Sequence, residues 1–125
     1  MWTPQRVTER IASGSLLPDS MFETLDADVL LDERDDSSDD DWVRAAEYLQ
    51  YAWYRNPDAA RATPAVVDMR KAAFKRTFEA SGGHHDLAAT VSDDFDLICR
   101  RALLGVELPF ISALEQAYEA HRFPI

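Results

Sequence analysis

Asp39-Asp40-Asp41-Trp42-Val43-Arg44-Ala45-Ala46-Glu47-Tyr48-Leu49-Gln50-Tyr51-Ala52-Trp53-Tyr54-Arg55 is the stretch whose reading decides the fold. Within it Trp42, Ala45, Ala46, Leu49 and Trp53 recur at the three-to-four-residue interval that lines one side of an α-helix. Ser38 stands where an N-cap belongs. The three aspartates then fill the first turn, where carboxylates oppose the positive end of the helix dipole. Asn56-Pro57 stops the run, because a residue before proline is pushed out of the helical region. The predicted helix therefore spans 39–55.

Working outward, helix signals continue on both sides. Thr3-Pro4 supplies a cap and a first-turn proline, with Val7 and Ile11 four apart, and Gly14 and Pro18 bracket a loop. Ser20 and Glu23 fit a capping box, followed by Phe22, Leu25 and Val29; the spacing predicts a short helix to about Leu31, with residues 28–32 also readable as a brief strand. Thr63-Pro64 opens a helix to about Ala80, with Val67, Phe74 and Phe78 on its apolar side and Lys71 and Lys75 opposite. Gly82-Gly83 ends it. Ser92 caps a helix through Leu104 that is apolar on two sides: Phe95, Ile98, Cys99 and Ala102 on one, Leu97 and Leu104 on the other. That pattern suits a central helix, or one that also meets a second copy to form a homodimer through Leu97 and Leu104. The last helix begins near Pro109, with Phe110, Ile111, Leu114, Ala117, Tyr118 and His121 on one arc. Alternating β runs and internal repeats are not found. The expected architecture is all-α, a compact bundle of five or six helices forming a single domain over 1–125, with an acidic loop at about 32–41.

The chain has 125 residues, 46% of them apolar, and a net charge of −10. Apolar content at that level supports a folded core. The charge is unevenly spread: residues 19–47 carry twelve acids against Arg34 and Arg44, which equals the whole imbalance, while residues 48–81 carry six bases and three acids. Such acid density must face water or a cationic partner, and it disfavours phosphate contact and hence direct nucleic-acid binding. Arg70, Lys71, Lys75 and Arg76 are expected to pair with Asp68 and Glu79 at helical spacing, and also to meet the acidic segment. One cysteine excludes an internal disulfide, no run is long enough for a membrane span, and no leader pattern follows Met1, so the chain reads as cytoplasmic. Eleven arginines against two lysines fit GC-rich coding and a bacterial source.

Motifs for chemistry are weak. Gly83-His84-His85-Asp86 places adjacent histidines that point apart on any regular element; with Cys99 on an apolar arc, no metal site is assigned. In the acidic run Asp35, Ser37 and Asp39 alternate as calcium ligands would, yet Asp40 stands where an EF-hand needs glycine. Nucleophile elbows and nucleotide loops are missing. The acids cluster where solvent is expected, whereas a general acid needs burial to raise its pKa. His121 reads as a packed rim histidine. The chain is thus expected to be no enzyme and to hold no cofactor.

In charge, size and helicity the chain resembles bacterial immunity proteins, which neutralise a co-produced toxin inside the cell. The likeness is one of type, and no residue role is carried over from it. It implies a protein-binding inhibitor of a cationic toxin or nuclease. The residues themselves nominate the surface: Asp32, Glu33, Asp35, Asp36, Asp39, Asp40 and Asp41 to meet basic groups, and Tyr51, opposite Trp42 on the helix, with Tyr54 flanking it, as aromatic anchors. Three alternatives use the same sequence differently. They are a DNA-mimicking anti-defence inhibitor, a self-associating adaptor built on Leu97 and Leu104, and a small enzyme using His84, His85 and His121.

Overall fold

A computed structural model of the chain describes residues 2–125, the side chains of residues 36–38 excepted. The all-α class holds: seven helical elements and no strand occur among the described residues. They are α1 (Pro4–Ser13), a 3-10 turn (Asp19–Met21), α2 (Ala27–Tyr54), α3 (Pro57–Ala60), α4 (Thr63–Ala80), α5 (His85–Leu104) and α6 (Pro109–Glu119). The count exceeds the expected five or six because the 3-10 turn and the one-turn α3 are helical too.

Several ends fall where the sequence places them. Thr3 caps α1, its Oγ1 accepting from the Arg6 N–H, and Pro4 opens the first turn. Asn56 ends α2 and caps α3, accepting from the Ala59 N–H at 3.0 Å. Gly105 closes α5 with φ +68°, a left-handed conformation that side-chain-bearing residues rarely adopt.

The acidic segment departs from expectation. Residues 32–41 are no loop: they belong to one 28-residue helix capped by Asp26, whose side chain accepts from the Val29 N–H at 3.2 Å. Ser20 and Glu23 open no α-helix, Val29 points to solvent, and Ser38 lies inside the helix rather than at its start. The reason is the inward line. Leu30, Arg34, Ala45, Leu49 and Trp53 are buried with Trp42 half-buried, all toward one side of the helix, and among the described side chains of the acid run the buried one is a cation.

Arg34 is only 8% exposed, and it is paired with Asp94 of α5, which is 0% exposed. The guanidinium forks onto the carboxylate, with NH1 to Oδ2 at 2.6 Å and NH2 to Oδ1 at 2.9 Å. The Trp42 indole N–H donates to Oδ1 at 3.0 Å, and the Tyr118 hydroxyl of α6 donates to Oδ2 at 2.6 Å. Four donors from two helices thus saturate one carboxylate, which lets the charge stay buried. Burial alone would lower the Arg34 pKa, but the Asp94 hydrogen bonds and charge outweigh it and hold the pKa above its ordinary value. Burial, then the Asp94 charge, push the Tyr118 phenol well up, so it remains a donor.

α5 is the central helix. It packs most extensively on α4, then on α2 and α6, and α1 covers α4. Both of its apolar sides are used internally: Phe95, Ile98 and Cys99 are fully buried, and so, nearly, is Leu97, which is therefore unavailable for the homodimer contact the sequence suggested. The helix starts earlier than expected, at His85, because His84 Nδ1 accepts from the Leu87 N–H at 3.1 Å. Ser92 does not cap it; its hydroxyl donates to the Arg70 carbonyl of α4 at 3.2 Å.

On α4 the buried face is Val66, Met69, Ala73 and Thr77, not Val67, Phe74 and Phe78. Small residues there let α4 lie close against α5 and α1, and the larger side chains are displaced outward. Its arginines look to other elements rather than to Asp68 and Glu79. Arg70 pairs with Asp93, and Arg76 bonds Asp19 at 2.6 Å and the Leu17 carbonyl at 2.8 Å. α6 ends at Glu119, so His121 leaves its arc; with φ +58° it is exposed, and its Nε2 bonds the Ser15 carbonyl at 2.9 Å.

Two outcomes follow for stability. Asp94→Asn leaves Arg34 buried without a counter-charge and should cost about 3–5 kcal/mol in urea unfolding; a cost below about 1 kcal/mol, the range of exposed ion pairs, would show that the Asp94 cluster does not hold the fold. Burial pushes the Cys99 thiol from its ordinary 9.0 up to about 12. The unfolded thiol ionises first as pH rises. The stabilisation it contributes is therefore complete below pH 9 and is lost between 9 and 12, by up to about 4 kcal/mol. Cys99→Ala should flatten that alkaline decline in denaturation midpoints, whatever its cost at neutral pH.

Candidate acidic helix face

At roughly 1.5 Å per residue, Asp32 and Tyr54 lie about 33 Å apart along α2. One helix carries everything the sequence nominates, but it does not gather those residues into one patch. With Arg34 turned inward, the exposed acids divide around the cylinder. Asp32, Glu33 and Asp40 point away from the bundle, on the same outward line as Val43, Glu47, Tyr51 and Tyr54. Asp35 and Asp39 border a cleft of about 170 Å³ between α2 and α5, with Trp42, Thr90 and Asp93 on its other walls. Asp41 lies toward a groove beside α6 and is 3.9 Å from Arg44. Asp36 has its side chain outside the described residues.

The tyrosines are as exposed as expected, Tyr51 at 59% and Tyr54 at 77%, with Tyr48 beside them. Tyr51 carries a cation on its face: the Arg55 guanidinium carbon sits 3.5 Å from the ring centroid. The outward face is thus acidic over its first half and aromatic over its second. The face presents carboxylates at one end and flat rings with polar tips at the other.

Beneath the face, α5 adds a second set of charges that the sequence did not single out. Asp93 and Asp96 share Arg70 of α4, and Asp96 also accepts from Arg100 Nε at 3.0 Å. Arg100 lies 4.5 Å over the Trp53 ring. Burial, only partly offset by Arg70, raises the Asp93 pKa. Asp94 corrects the expectation that the acids all face solvent. A signal for it was present, since Asp94 falls on the line Leu87, Val91, Ile98, where an inward side chain is required.

The histidines have structural partners. His84 caps α5 and ties it to α2 through Nε2, 3.0 Å from Asp28 Oδ1, while His85 stands edge-on to Phe74 with centroids 5.3 Å apart. Groups of three or more ligand-type residues arranged for a metal ion are absent among the described residues, and no helix there is long and apolar enough to cross a membrane.

Because α2 begins at Ala27, Asp39–Asp41 sit in its middle, beyond reach of the N-terminal dipole. Asp35 and Asp39 instead repel one another at i, i+4 spacing. Asp35→Asn with Asp39→Asn should therefore raise the unfolding free energy by about 0.2–0.5 kcal/mol. A loss of about 1 kcal/mol, the size of a lost helix cap, would place a helix start there after all.

No curated protein and no solved structure matches the chain. A family model does: the one described as Immunity protein PIM1 matches residues 6–125. An all-helical bundle whose longest helix presents acids and tyrosines outward is thus a member of the Immunity protein PIM1 family.

Proposed function

We propose that this chain binds and neutralises a cationic toxin or nuclease domain through the outward face of α2, and that it acts by binding alone. The observation that carries the reading is the continuity of that face. Asp32, Glu33 and Asp40 share one exposed line with Tyr51 and Tyr54 on a single helix anchored by Asp94, and Asp35, Asp39 and Asp41 flank it. Preformed carboxylates steer a basic partner and form charge-assisted bonds to its Arg and Lys groups, while exposed tyrosines supply contact area at small entropic cost. A nuclease that grips phosphate presents a surface of the required sign. Family membership supports an immunity role, and such a role requires a toxin to bind.

Binding without catalysis is favoured by the state of the buried reactive groups. All of Asp94's bonding capacity goes to Arg34, Trp42 and Tyr118. The Cys99 thiol, pushed up to about 12, is far from a nucleophilic thiolate. A bacterial, cytoplasmic setting belongs to the same proposal, in line with the arginine-rich composition.

The test begins with capture of a basic protein from host lysate at low salt and its identification. Association with that purified protein is then followed at several salt concentrations. Replacing Asp35, Asp39, Asp40 and Asp41 together by Asn should slow association about tenfold or more at low salt and flatten its salt dependence. Tyr51→Ala with Tyr54→Ala should speed dissociation about 10–30-fold. If both variants, with unchanged helical circular dichroism, associate and dissociate like the parent, the toxin contact lies elsewhere.

A further inference from the structure

α4 carries an exposed face that the toxin-binding reading does not use. Val67 is 40% and Phe78 39% exposed, and Phe74 lies between them with its ring stacked near that of Phe78 at 6.0 Å and 12°. Lys71 and Lys75 stand on the same side of the helix. These are the only two lysines in the chain, in a molecule of net charge −10. Among the described residues neither lysine has an ion-pair partner, although the neighbouring Arg70 and Arg76 both find one. Free cations amid so many acids, set around exposed aromatic rings, describe a surface built for something acidic and partly apolar.

The chain itself owns such a surface. The outward line of α2 repeats Asp40, Val43, Glu47, Tyr51 and Tyr54 at helical intervals, with Val43 and both tyrosines exposed. It opposes the α4 line in sign, Lys71 and Lys75 against Asp40 and Glu47, and both lines set exposed apolar or aromatic side chains beside their charges, Phe74 and Phe78 on one and Val43 and the tyrosines on the other. We infer that α4 of one molecule docks on α2 of a second copy. The contact joins two different faces, so used reciprocally it closes a two-fold dimer, and used once per molecule it extends an open chain. It is independent of the toxin reading, though it occupies the same α2 face and would compete with a toxin there.

At physiological ionic strength the Debye length of roughly 8 Å screens repulsion between the −10 bodies while sparing pairs in contact. Sedimentation velocity at that salt should show weight-average mass rising with concentration above the 14.2 kDa monomer, and falling back at about 1 M salt. Lys71→Glu with Lys75→Glu should abolish the association, as should Asp40→Lys with Glu47→Lys. Mixing the two reversed variants should restore it, because each supplies the face the other now fits. Phe78→Ser, at an exposed position, gives a second check without charge change and should weaken association at least tenfold. A monomer at all concentrations would overturn the inference and leave the α4 face to an acidic partner of another kind. Self-association that survives the lysine reversal would overturn it equally.

Discussion

The Asp94 carboxylate is the constraint on which the arrangement depends. It is fully buried in α5, yet it holds α2 through Arg34 and Trp42 and α6 through Tyr118. A charge in that position is tolerable only when every lone-pair direction is answered, and here four donors answer it. The bonds also fix rotation. With Arg34 pointing at α5, the residues on either side of it in the acidic run are forced outward or to the flanks. The same ion pair that lets a run rich in aspartate remain helical therefore decides which aspartates face outward.

Much of this was legible in the sequence, and the part that was not has a common physical cause. Local signals worked wherever the competing options are local. Thr3-Pro4 begins α1, Asn56-Pro57 separates α2 from α3, Thr63 and Ala80 bound α4, and Gly105 closes α5. The two-sided apolar pattern of α5 correctly marks the most buried helix. The acidic segment failed because the buried residue among its described side chains is an arginine, and what makes a buried arginine acceptable lies sixty residues away in Asp94. A pattern search that counts only apolar residues loses the line between Leu30 and Trp42. On α4 the failure has the opposite form. The size of Phe74 and Phe78 suggests core, whereas Ala73 and Thr77 are the buried residues facing the neighbouring helices and Phe78 is left outside.

The candidate surface was legible in part for the same reason. Exposure of Tyr51 and Tyr54 follows from Tyr51 being opposite Trp42 on one helix with Tyr54 beside it, and that geometry is local. The distribution of the acids is not, since it depends on how α2 is rotated against α5 and α6. Seven acids read as one loop-borne patch become an outward line, a cleft pair and a flanking residue, with Asp36 lying outside the described side chains. A rigid, divided display differs physically from a mobile acidic loop. On the proposed reading it would lose less conformational entropy on binding, and it would impose spacing on the cations of a partner.

Hydrogen exchange of the free protein tests this account at its root. If the Arg34–Asp94 pair makes the acidic segment a continuous preformed helix, the amides flanking Arg34 and Trp42 will be protected to nearly the same degree as those around Leu49, and Asp94→Asn will strip protection from the first group before the second. Exchange around Arg34 as fast as in an unstructured peptide, while Leu49 stays protected, would contradict it and return the acidic segment to a loop.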